Sequence, residues 1–168
     1  MAHQWNEVIA EMLQFVPELE PDCRPEVRAA LDKSLRYLGH SASDEDVIYL
    51  RELQRTHSHA IKDSIYAPGH YIIFESLLMP MLIHLSSDET ERKRFAQIMN
   101  WLEELASSDD VKVQNLVAIG ICENLLGSHQ QHLGRFFSAM GGTMRQMCRD
   151  FIPFFRLDEK STAILSAK

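Results

Sequence analysis

The chain has 168 residues, of which 45% are hydrophobic and 24% charged, with seven glycines, six prolines and a net charge of −7. This is enough chain to bury a core without disulfides or metal, and its composition excludes a long disordered tract. The acidic balance argues against a nucleic-acid partner, whose phosphates call for clustered Lys and Arg; it is compatible with a basic protein partner, and equally with a surface that keeps the protein soluble, the simpler reading.

Three cysteines, Cys23, Cys122 and Cys148, show no CxxC spacing, so neither a disulfide framework nor a zinc site is expected. The compartment implied is reducing. The opening MAHQWNEVIAEML is charged and carries no signal-peptide pattern, which predicts a cytoplasmic protein. Runs of period two are absent, and the fold class predicted is all-α: a single domain of about seven or eight helices over residues 1–157.

Trp5, Val8, Ile9, Met12, Phe15 and Val16 recur at helical spacing and predict the first helix, with a turn from Pro17 to Pro25. Pro25 at a first turn and Gly39 at the end bracket a second helix, and Ser43 with Asp46 opens a third that reaches about Ile65. YAPGH at 66–70 reads as a turn. The apolar run Tyr71–Leu85 is too short to span a bilayer, which takes about 20 residues, so it predicts a buried helix and no membrane span. Pro80 inside it takes the donor from the Ser76 carbonyl and predicts an irregularity over Ser76–Pro80.

Asp88 and Glu91 open the most regular amphipathic helix, with Phe95, Ile98, Met99, Leu102, Leu105 and Ala106 on its inner stripe. The short link Ser107–Asp110 predicts that it packs antiparallel on the next helix, Asp109 to Gly127. Apolar residues surround that helix, so it is predicted to be the buried centre at about 109–126, capped by Ser107, Ser108, Asp109 and Asp110 and stopped by a left-handed Gly127. Leu133, Phe136, Phe137 and Met140 mark another helix. Gly141 and Gly142 turn the chain, and Met144, Met147, Cys148 and Phe151 mark the last helix before Pro153. Residues 158–168 are expected to fray unless Ile164 and Leu165 dock them.

Candidate chemistry is sparse. His57 and His59 lie about 200° apart on a helix and cannot share an ion, and His129 with His132 lacks a third ligand, so no metal and no cofactor is expected. Glu75, set among Ile72, Ile73, Phe74, Leu77 and Leu78, must find a partner or a raised pKa, and a structural partner is favoured over a catalytic acid. Arg145, Arg149 and Arg156 could form a small anion site, but Arg145 and Arg149 at i, i+4 read more simply as an exposed face, and the late phenylalanines as an aromatic end of the core. Trp101 falls at the edge of its helix's apolar stripe, where a core boundary or a partner contact is open to it.

The span SDETERKRFAQIMNWLEELASSDDVKVQNLVAIGICENLLG, 87–127, resembles one HEAT-like helix pair. LQFVPEL at 13–19, FESLLMPMLIHL at 74–85, VQNLVAIGICENL at 113–125 and MGGTMRQM at 140–147 together resemble the small all-helical immunity-type proteins of bacterial polymorphic and contact-dependent toxin systems. That resemblance implies a protein that is not an enzyme and that neutralises a basic cognate toxin by binding it. The contacts expected are Gln97, Trp101, Glu104, Asp109 and Asp110. The alternatives are a helical scaffold without a toxin and a small enzyme using Glu75.

Overall fold

The computed structural model describes residues 3–5, 7–19, 23 and 67–166. The helices predicted over 25–39 and 43–65, with His57 and His59, lie outside the described residues. Helix α1 is Val8–Phe15, followed by a 3-10 turn at Pro17–Leu19. A second run joins α2 (Ala67–Ile73), a π segment (Phe74–Leu78) and α3 (Met79–Ser87). Helix α4 is Arg92–Ala106. The next run joins α5 (Val111–Val117), a second π segment (Ala118–Glu123) and α6 (Asn124–Ser128). Helices α7 (Leu133–Ala139), α8 (Gly142–Phe151) and α9 (Glu159–Ser166) complete the described fold, which is all-α with no strand among the described residues. None of its helices is long and apolar enough to cross a membrane.

The irregularity expected near Pro80 is a π turn. Without an N–H at residue 80 the Ser76 carbonyl cannot be paired in α register, and the Met79 N–H instead closes a wider ring on the Phe74 carbonyl. The extra residue in that turn re-aims the side chains before it. Phe74 and Leu78 are fully buried, while Glu75 and Ser76 face solvent. The expectation that Glu75 is enclosed by its apolar neighbours is therefore corrected. The YAPGH turn is also corrected, because Ala67–His70 is helical and Pro68 sits in the first turn, where its missing N–H has no partner to lose.

The central run is capped at its start as expected and departs from expectation at its far end and on one side. Asp110 caps α5 by accepting from the Lys112 N–H at 2.9 Å, and Ser108 Oγ accepts from the Asp110 N–H at 3.2 Å, as acidic and hydroxyl caps should. Gly127 is no left-handed stop: the helix continues to Ser128, and the ring of Phe155 lies within 3.2 Å of where a Cβ on Gly127 would stand. Val113, Leu116, Val117, Ile121, Cys122, Leu125 and Leu126 are buried, but Val111 is 62% and Ile119 is 44% exposed. One side of the central helix is open.

The two π segments touch. A Cβ on Gly120 would stand 2.9 Å from the Cβ of Phe74, so glycine is what allows the backbones this approach. Around that crossing one continuous core gathers Met12 from α1, Leu82 from α3, the predicted stripe of α4, Phe136 from α7 and Met144 from α8. The three cysteines are reduced and buried. Cys148 Sγ lies 3.8 Å from Met140 Sδ, and a hydrogen bond with the neighbouring Cys148 thiol, together with burial, holds Cys122 well above the usual thiol range.

Residues 159–166 are not frayed. Asp158 caps α9 through the Ser161 N–H at 2.6 Å, and Ser161 and Leu165 are buried. Ile164 packs against the core, as a docked tail requires. The late phenylalanines divide: Phe136 and Phe137 are core, Phe151 and Phe155 are half-buried edge-to-face partners, and Phe154 is 77% exposed. Arg145 and Arg149 do not form an open basic face. Both guanidiniums lie over Phe137, and their Nε–H groups donate to the carbonyls of Phe137 and Leu165.

His132, in the 3-10 turn before α7, has its pKa lowered by partial burial and by the positive fields of His129 and Arg135. A depressed histidine pKa means that the unfolded chain binds protons more readily, so stability falls as pH drops through the ordinary value of about 6.5. His132→Gln is expected to flatten the slope of unfolding free energy between pH about 6.5 and the acidic limb below about 4, where carboxylates take over. Chemical denaturation across that range measures it, and an unchanged slope contradicts the assignment.

Candidate functional site

The outer face of α4 and the turn after it carry four of the five residues expected to meet a partner. Positions 97, 100 and 104 fall one above another on a helix, and Gln97, Asn100 and Glu104 are all exposed. Lys93 and Ser107 extend the strip at either end. In the turn Asp109 is exposed and Asp110 half-buried, and Val111 follows them with most of its side chain in solvent.

The carboxylates here differ in what the fold has already taken from them. Glu103 faces inward: its two oxygens accept from the Thr143 and Met144 N–H groups at 2.7 and 3.0 Å and cap the start of α8. Any side chain on Gly141 would collide with that carboxyl group. Asp110 is spent on Lys112. Glu104, by contrast, keeps 69% of its side chain exposed, with His3 Nε2 3.8 Å from one oxygen, and Asp109 makes no side-chain hydrogen bond among the described residues. Glu104 and Asp109 are the acids left for another molecule.

Trp101 is not part of this face. It is only 4% exposed, its ring packs against Phe15 at 5.5 Å and Phe74 at 6.1 Å, and its Nε1–H donates to Glu11 Oε2 at 3.1 Å. Helix α1 covers the edge of α4 that a helical wheel leaves open. The same carboxylate of Glu11 accepts from His3 Nδ1–H at 2.8 Å. Arg94, on the same edge, donates to the Phe15 carbonyl through Nε and Nη2 and pairs with Glu18 at 2.6 Å. The expectation that Trp101 contacts a partner is corrected: it holds α1 against α4.

Sequence reasoning missed Glu103. Its signal was the MGGTM turn, where a helix starts on glycines with no Ser, Thr, Asp or Asn of its own at the cap, so that the cap must come from elsewhere. Among the described residues no cluster of His, Cys, Asp and Glu has the makings of a metal site.

A family model matches residues 9–156, from the first turn of α1 to just past the 3-10 turn Ile152–Phe154. The chain belongs to that family. It is described as Domain of unknown function (DUF7674). The match takes in α4, the turn after it and the Glu103 cap, while α9 lies beyond it. No curated protein and no solved structure matches the chain.

Proposed function

We propose that the chain is an immunity-type binding protein that neutralises a basic toxin domain, using the outer face of α4 and the turn Ser107–Asp110. The observation that carries this reading is the exposed Val111, 62% in solvent, following two carboxylates at the end of a helix whose neighbouring acid Glu103 is fully used by the fold. An apolar anchor with an acidic rim is the arrangement by which a surface both desolvates and selects a cationic partner. Gln97 and Asn100 supply neutral hydrogen-bonding groups along the same strip. Nothing in this mode of action requires a reacting group, a metal or a cofactor.

The test is an equilibrium titration of the purified chain against any toxin domain found encoded beside it. Glu104→Arg with Asp109→Arg is expected to weaken the complex roughly 10- to 100-fold and to reduce its salt dependence, mainly through the association rate. Val111→Asp is expected to weaken it through faster dissociation. A complex indifferent to all three changes would place the contact elsewhere, and no complex at all would favour the scaffold reading.

A further inference from the structure

A cleft of about 370 Å³ opens between the end of α3, the start of α4 and α7, on a surface that the proposed toxin contact does not use. Its floor is apolar, formed by Leu85, Phe95 and Ala139, and its walls carry Arg92, Arg135, Asp88 and Glu89. The volume falls within the range of small-molecule sites.

What distinguishes the cleft is how its polar groups are already committed. Asp88 is occupied in capping, with Oδ1 accepting from the Thr90 N–H at 2.9 Å and hydroxyl at 2.6 Å, and those bonds hold its carboxyl below the usual range. The hydroxyls of Ser86 and Ser138 donate to the carbonyls of Ile83 and Arg135. Arg135 is steadied from one side by Ser87 Oγ at 2.9 Å. Yet neither Arg92 nor Arg135 forms an ion pair among the described residues, although two carboxylates line the same walls. The wall donors without a carboxylate partner among the described residues are therefore two guanidiniums, Arg135 having given one Nη to Ser87, and their planar forks suit carboxylate and phosphate oxygens.

We propose that this cleft binds a small ligand with one anionic head and an apolar body, the head taken by Arg92 and Arg135 and the body lying on Phe95 and its aliphatic neighbours. Glu89, exposed at the wall, repels a second anionic group placed elsewhere on the ligand and so favours one whose charge is gathered in a single head.

Phenyl phosphate carries both parts, inorganic phosphate the head and benzyl alcohol the body. In titrations of the full, isotope-labelled chain, phenyl phosphate is expected to shift the amide resonances of Phe95, Ala96 and Ala139 saturably at millimolar concentrations, and each fragment to bind at least about ten-fold more weakly. Arg92→Gln and Arg135→Gln should each cost about ten-fold in affinity, and Glu89→Gln should tighten binding. Ala96 is exposed at the cleft, so Ala96→Trp should block it without touching the core. Unfolding midpoints of the variants separate lost binding from lost fold. The proposal is overturned if phenyl phosphate leaves those resonances unmoved, if inorganic phosphate binds as tightly, or if both arginine variants bind as the parent does while remaining folded.

Discussion

Phe74→Ala is expected to lower the unfolding free energy by about 3–5 kcal/mol, the range for deleting a large side chain from a core that cannot collapse around the gap. Phe74 is completely buried at the crossing of the two π segments, with Gly120 beneath it and the ring of Trp101 beside it at 6.1 Å. Two backbones held this close by a glycine cannot move together further to fill a void, so the upper part of the range applies. Urea unfolding followed by tryptophan fluorescence measures it, since Trp101 reports directly on the emptied site. A loss below about 1 kcal/mol would mean that the crossing is not a rigid contact.

Glu103→Ala is expected to cost about 2–3 kcal/mol, because it removes two charge-assisted hydrogen bonds and leaves the amides at the start of α8 without acceptors. The more discriminating result concerns Gly141. Gly141→Ala in the parent chain meets the Glu103 carboxyl group and should destabilise it, whereas in the Glu103→Ala background the same substitution has space and should be close to neutral. The coupling from the four-variant cycle is predicted to be at least about 1 kcal/mol. Additive effects would show that Glu103 and Gly141 do not share a site.

Features governed by a residue's own backbone were legible in the sequence. Pro80 announces a broken hydrogen-bond ladder wherever it stands in a helix, and the irregularity lies just before it. The inner stripe of α4 is buried as its spacing implies, because a helix with one apolar face has one way to hide it. The second π segment carries no proline, and its sequence sign, Gly120 inside an apolar helix, becomes meaningful only once Phe74 is seen against it.

Long-range cover was not legible. A helical wheel places Trp101 at the margin of a stripe, and only the arrival of Phe15 and of Glu11, 90 positions earlier in the chain, turns that margin into core. Glu75 was misplaced for a related reason, since the wheel assumes an unbroken α register that the π turn does not keep. Gly127 and YAPGH were read by the usual habits of glycine and Pro-Gly, whereas Gly127 lies within a helix and Ala67–His70 is helical. Of the expected contact residues, Gln97, Glu104 and Asp109 are open as the pattern of α4 suggested. That Glu103 rather than Glu104 is consumed depends on a turn 40 residues away.

The central proposal is that Glu104 near the end of α4, Asp109 in the turn after it and Val111 at the start of α5 form the surface that neutralises a toxin. The most direct measurement is survival of a host expressing a toxin domain of the kind the proposal requires together with this chain, at matched protein levels. Protection by the parent chain and by Gln97→Ala, with loss of protection by Glu104→Arg, Asp109→Arg, Val111→Asp combined in one folded variant, is the result expected. Equal protection by that variant, or none by the parent, would contradict it.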